Sequence, residues 1–245
     1  MDRIKYQIPP LVEVIFQLRF PTILALNTQD PIDFHNRIRS SFPYYSYSTQ
    51  EVKETRPDGQ TRVLRAVRNH QFTAKDKMTK INIESTFIAI SSHSYSTWEE
   101  FRVVISEIIS IFDEYYKPAF YTRVGLRYID VIERSKWGLQ DKKWSELINA
   151  NVLGFMNENT LTYRMDAESP NSDEKSLTKY HFELAKMAGT NENVFMIDCD
   201  YSYGDTVELS DYINIADELH KCSSNFIQSA IKDVLHYAMK PELIG

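Results

Sequence analysis

Between Leu11 and Phe20 apolar and polar side chains alternate. Val12, Val14, Phe16, Leu18 and Phe20 fall on one side, and Glu13, Ile15, Gln17 and Arg19 on the other. Successive side chains of a strand point to opposite faces, so this pattern predicts a strand with one buried face. Asp30-Pro31 then opens a segment in which Ile32, Phe34, Ile38 and Phe42 recur at helical spacing, with Pro31 suited to a first turn, where a missing N–H costs nothing. Three strands follow, over 45–55, 62–72 and 79–91, separated by the turn Pro57-Asp58-Gly59 and the polar link Ala74-Lys75-Asp76-Lys77. Ser96 with Glu99 has the form of a capping box. Trp98, Phe101, Val104, Ile105, Ile108, Ile109 and Phe112 continue it as an apolar helix face to about Tyr116, ahead of Pro118.

The same order then starts again. Residues 120–133 alternate as a strand, with Val124, Leu126 and Tyr128 opposite Arg123, Gly125, Arg127 and Ile129. A helical stretch over 143–156 follows, carrying Trp144, Leu147, Ile148 and Val152. Strands fit 160–168, 177–187 and 193–203, and one long amphipathic helix, 209–239, closes the pattern with Tyr212, Ala216, Leu219, Phe226, Ala230 and Val234 along a stripe. The expected fold class is α+β: duplicated β-α-β-β-β-α units, 1–118 and 119–245, related by a pseudo-twofold axis within one compact domain. They would form a saddle-like antiparallel sheet with the long helices on one face, because an apolar-faced helix must bury itself on the sheet. The other face would present Glu13, Gln17, Arg19, Arg123 and Arg127.

Composition narrows this picture without redirecting it. With 245 residues, 42% of them apolar, the chain can bury a substantial core. No run approaches the roughly 18 consecutive apolar residues of a membrane span, and the start, MDRIKYQIPP, lacks the basic-then-apolar order of a signal peptide. A cytoplasmic protein without a membrane association is expected. Cys199 and Cys222 have no CxxC or Cys/His spacing around them and read as core thiols in a reducing compartment. The formal charge of −6 gives no general attraction to phosphate backbones.

Candidate chemistry is sparse. Glu13, Arg123 and Arg127 on facing strands could bind an anionic ligand or a partner through the guanidinium forks, or form a Glu–Arg ion pair that fixes strand register. Asp198 and Asp200 alternate onto one strand face with Asp205 beyond; carboxylates so placed can hold Mg²⁺, or line a solvated surface. The six histidines show no HxH, HExxH or HxxxH pairing, and the seven glycines form no phosphate-binding loop. No catalytic set, metal site or cofactor is therefore expected. The aromatic run Phe42, Pro43, Tyr44, Tyr45, Tyr47 offers either a stacking platform for bases or a sheet-edge or partner-binding surface.

Three segments, IPPLVEVIFQLRFP, RVGLRYIDVIE and LHKCSSNFIQSAIKDVLHY, together resemble a sporadically distributed bacterial family of about this length to which no activity is attached. Asp130, in the mid-chain motif, joins Glu13, Gln17, Arg19, Arg123 and Arg127 in the candidate binding set; the family often has Asn at that position. Patchy families of this kind often sit in mobile or anti-phage gene neighbourhoods. The resemblance thus implies a component of a defence or toxin–antitoxin module. The expected function is a non-enzymatic interaction or regulatory protein whose partner is another protein, encoded nearby. The alternatives are a nucleic-acid-binding saddle, and a small-ligand sensor or enzyme with its pocket between the two halves.

Overall fold

The computed structural model describes residues 4–243 other than 56–58, 60, 172 and 174. In chain order the elements are β1 (Ile4–Tyr6), β2 (Leu11–Arg19), α1 (Ala25–Thr28), α2 (Ile32–Ile38), β3 (Tyr44–Thr55), β4 (Thr61–Thr73), β5 (Thr79–Glu84), β6 (Phe87–Ser92), α3 (Trp98–Tyr116) and β7 (Arg123–Ile132). A 3-10 turn at Arg134–Trp137 leads to α4 (Trp144–Leu147), α5 (Ala150–Leu153), β8 (Tyr163–Pro170), β9 (Ser176–Lys186), β10 (Asn193–Tyr203), α6 (Tyr212–Ala230), α7 (Asp233–Ala238) and β11 (Pro241–Leu243). The fold is α+β, as the periodicities predict. Its main sheet has nine antiparallel strands in the order β3-β4-β5-β6-β2-β7-β10-β9-β8, and β1 pairs with β11 separately. No helix among the described residues is long and apolar enough to cross a membrane.

The chain packs as two compact units that interleave in sequence. One comprises Met1–Val14, Leu126–Tyr203 and Ala216–Gly245, the other Ile15–Gly125 and Gly204–Ile215. In the second of these, Phe16, Leu18, Phe72, Ile81, Ile83, Ile88 and Ile90 are fully buried from the sheet side, and Ile105, Ile109 and Phe112 from α3. Phe112 stacks obliquely on Phe20 at 5.1 Å, and Phe34 of α2 meets Phe72 edge-on at 5.4 Å. In the first unit, Phe226 of α6 lies 5.1 Å from Tyr180 and 6.0 Å from Phe182, so α6 covers the even-numbered face of β9. Odd-numbered residues of β9 are left for the opposite face, where the site described below is built.

Several elements depart from their expected form, each for a visible reason. The strand expected over 79–91 is a hairpin, β5 turning into β6 at Ser85-Thr86. Loop residues clamp that turn: Phe20 N–H donates to Thr86 O at 3.1 Å and Ile23 N–H to Ser85 O at 2.8 Å. With this extra strand the element order of the first half is not that of the second. Thr97 rather than Ser96 caps α3, its hydroxyl accepting from Glu100 N–H at 3.3 Å. The helix expected over 143–156 splits into α4 and α5, and the one expected over 209–239 breaks after Ala230. Both breaks share a cause: Asn149 Nδ2 donates to Ser229 O and Ile231 O at 2.7 and 3.1 Å, and Lys232 N–H donates to Leu147 O at 2.8 Å. Of the turn Pro57-Asp58-Gly59, only Gly59 lies among the described residues; its φ of +83° suits glycine.

Candidate functional site

Arg127 sits on β7 between Leu126 and Tyr128, whose side chains are buried, and therefore points to the opposite face. There its guanidinium grips Asp198 of β10 with two parallel bonds, Nε to Oδ1 at 2.6 Å and Nη2 to Oδ2 at 2.5 Å. The Asp198 side chain is only 8% exposed, while that of Arg127 remains 44% exposed. The hydrogen bond to Asp198 holds the Arg127 guanidinium above its ordinary range, with Asp200 and Glu13 adding smaller contributions. Arg127 is thus anchored at its donor fork yet open to solvent along its edge.

Strand register extends this pair into a field of charges. Across β10 and β9, Asp198 stands opposite His181 and Asp200 opposite Lys179. Across β9 and β8, His181 stands opposite Asp166, Lys179 opposite Glu168 and Glu183 opposite Arg164. His181 Nδ1 lies 2.7 Å from Asp166 Oδ1 and its Nε2 lies 3.3 Å from Glu183 Oε2. Both ring nitrogens of His181 thus face carboxylate oxygens. Arg164 Nε donates to Asp166 Oδ2 at 2.9 Å, and Lys179 Nζ lies 3.3 Å from Glu168 Oε2. The bonds from His181 and Arg164 hold the Asp166 carboxyl below its ordinary range. Arg127, Asp166, Glu168, Lys179, His181, Asp198 and Asp200 line a shallow depression of about 470 Å³. Among the described residues no three of His, Cys, Asp and Glu are gathered as a metal site would require.

The residues singled out from sequence fall into three places. Glu13 and Arg127 share the first unit and the charged face, but the bidentate partner of Arg127 is Asp198, not Glu13. Gln17, Arg19 and Arg123 gather in the second unit: Gln17 Oε1 accepts from Arg123 Nη1 at 3.0 Å and from Arg19 Nε at 3.2 Å. Gly125 makes this possible, because a Cβ there would lie 2.0 Å from Arg123 Nη1. Asp130 is elsewhere. It shares the parity of Leu126 and Tyr128, is 8% exposed, and lies near buried Cys199 and Tyr201 on the core side. Burial, then the charge of Asp198, push its carboxyl up to about 7, against the pull of Lys136.

Asp205 leaves the strand face altogether, its carboxylate accepting from Thr206 N–H. The aromatic run is not a single platform: Phe42 is buried, and Tyr45 Oη lies 2.9 Å from Nδ1 of the fully buried His70, leaving Tyr44 and Tyr47 exposed on β3. Sequence reasoning missed Lys179, His181 and Glu183, although they alternate with Tyr180 and Phe182 in plain period-two fashion. It also placed Asp198 on a solvated surface, where the structure buries it. Tyr128 and His220, which belong to two of the three segments of the resemblance, meet at 2.8 Å between Oη and Nδ1. No protein-family model and no curated protein matches the chain.

Proposed function

We propose that the protein is an interaction or regulatory protein that binds a lysine- and arginine-rich segment of a partner protein on the charged face of β7, β10, β9 and β8. The observation that carries this reading is the charge arrangement: the carboxylates Asp166, Glu168, Asp198 and Asp200 outnumber the permanent cations Arg127 and Lys179 lining one shallow depression. Shallow, open, salt-laced strand faces suit a polypeptide laid across them, and an excess of carboxylates selects cationic side chains while repelling phosphate backbones. The thiols do not favour covalent chemistry, since burial pushes both Cys199 and Cys222 up, away from thiolate character.

The duplication expected from the sequence belongs to this proposal. A strand, short helices, a strand meander and then a helix of 19 residues occur in each half, α3 and α6 being equal in length. On the resemblance set out above, the partner is the product of a neighbouring gene in a bacterial defence or toxin–antitoxin module.

Titration of the full chain with a fluorescent Lys/Arg-rich peptide tests the reading. Binding that weakens steeply with salt and is lost in the double variant Asp166→Asn, Glu168→Gln is expected. Equal or tighter binding of an acidic peptide or of DNA, or no binding at low salt, overturns it.

A further inference from the structure

The main sheet ends in two unlike edges. The outer strand at one end, β8, carries Arg164, Asp166 and Glu168 among its eight residues and finishes on Pro170. Charges and a missing N–H are the devices that keep a sheet edge from pairing with another strand. The outer strand at the other end, β3, has none of them over Tyr44–Gln50: the run Tyr-Tyr-Ser-Tyr-Ser-Thr-Gln holds no charge, proline or glycine. All of it except Tyr45 is exposed. It pairs with β4 without interruption from Tyr44↔Thr73 to Gln50↔Val67, and the first irregularity comes at Val52/Lys53. Among the described residues no backbone hydrogen bond joins Tyr44–Gln50 to anything but β4.

We propose that β3 is a self-association edge, at which two copies of the chain pair their Tyr44–Gln50 segments antiparallel about a two-fold axis and continue the sheet from one copy into the other. This rests on the β3 edge alone and is independent of the charged face of β8, β9 and β10. The occupant follows from the limits of the edge. Pro43 has no N–H at one end, and the bulge at Val52/Lys53 bends the strand at the other. In a two-fold pairing each end of one copy meets the opposite end of its mate, so the uninterrupted window is Tyr44–Gln50 against itself. Tyr47 then faces its own counterpart on the axis, Ser46 faces Ser48, and Tyr45 faces Thr49. Aromatic and hydroxyl cross-strand pairs are favourable, and no charge is placed opposite a like charge. A register slid until Glu51 meets its counterpart would bring two carboxylates together.

Tyr47 is prepared for this position. Its ring is inclined 29° to that of Tyr45, centroids 6.5 Å apart, and the Arg68 guanidinium sits 5.5 Å from its centre. An edge meant for a charged foreign strand would carry the complementary charge, and Tyr44–Gln50 carries none. Because β8 is blunted, pairing through β3 closes after two copies instead of growing into a filament.

Sedimentation of the full chain, from micromolar to millimolar concentration, tests the proposal. The expected mass is twice the 28.7 kDa of one chain, returning to that of one chain in Tyr47→Lys. Ser48→Lys, on the other face of the same strand, is expected to do the same, and Ser169→Lys on β8 to leave the dimer intact. An unchanged urea unfolding midpoint under dilute, monomeric conditions separates loss of pairing from loss of fold. A wild-type chain that stays at 28.7 kDa throughout, or a dimer that persists in both β3 variants, overturns the proposal. So does a monomeric wild-type chain that binds an unrelated extended, uncharged peptide at this edge, which would assign β3 to a foreign strand.

Discussion

Arg127 and Asp198 are joined by two charge-assisted hydrogen bonds of 2.6 and 2.5 Å, and the carboxylate of the pair is almost wholly withdrawn from water. The pair links β7 to β10 at the root of the charged face. Removing the arginine leaves a buried carboxylate with its fork partner gone. Because Arg127 itself is partly exposed, solvent relieves some of that cost, and Arg127→Ala is expected to lose about 1–2 kcal/mol. In double-mutant cycles read by urea denaturation, Arg127→Ala and Asp198→Ala should couple strongly. Arg127→Ala and Glu13→Ala should add to within about 0.5 kcal/mol. Coupling to Glu13 as large as that to Asp198 would disprove the assignment.

Asp130 predicts a pH dependence with a definite sign. Its folded-state carboxyl is raised from 3.8 to about 7, so the folded chain holds a proton that the unfolded chain has already released. Its contribution to stability is complete below the unfolded value and is lost as pH rises through about 7. Asp130→Asn keeps the shape and removes the charge. It is expected to match the parent near pH 4 and to be the more stable near pH 8, by at most on the order of 3–4 kcal/mol. Unfolding curves of the two proteins that remain parallel from pH 4 to 8 would refute this.

Gly125 is held by space, not by backbone strain. A Cβ would collide with the tip of Arg123, a flexible side chain that can swing aside at the cost of its bond to Gln17. Gly125→Ala is therefore expected to cost about 1 kcal/mol. In an Arg123→Ala background the same change should cost almost nothing, since the obstruction is gone. Melting temperatures of the four combinations decide the matter, and equal losses in both backgrounds would rule out the mechanism.

His70 is fully buried with both ring nitrogens engaged. Nε2 lies 2.8 Å from Leu26 O, a pure acceptor, so Nε2 carries the proton and Nδ1 accepts from the Tyr45 hydroxyl at 2.9 Å. Tyr45→Phe strands a buried acceptor and is expected to cost about 1–2 kcal/mol. Burial and the neighbouring Asp30 push the Tyr45 phenol up to about 12. Burial also raises Tyr6 and Tyr116 to about 12, so absorbance titration should show one fewer late-ionising tyrosine in the variant than in the parent.

How far the chain announces itself depends on whether an element answers to its own residues or to distant ones. β2 and β10 lie within a residue of their expected limits because each alternates about a buried face. The β5–β6 turn has neither glycine nor proline. Its one signal is a slip of parity: Ile81 and Ile83 are odd, Ile88 and Ile90 even, and all four are fully buried, which a single strand with one buried face cannot arrange. The breaks at 148–149 and 231–232 had no local signal, because the side chain of Asn149 and the backbone of Lys232 make them across some 80 residues of sequence. The candidate site divides in the same way. Alternation alone put Arg127 and Glu13 on the open face and Asp198 with Asp200 on a common one.

Sequence by itself determined the α+β class, the strands that alternate and the face each residue takes, because these follow from the period of a strand and the chemistry of the side chain beside it. Tertiary structure alone decided which strands became neighbours, and with that who pairs with whom. Arg127 could have met Glu13, but β10 placed the deeper carboxylate of Asp198 within its fork. Asp130 entered the binding set through the resemblance, although the alternation of β7 already put it on the face of Leu126 and Tyr128; the fold decided how deeply it is buried there. Pairing depends on distances between residues far apart in the chain, and only the folded sheet sets those distances.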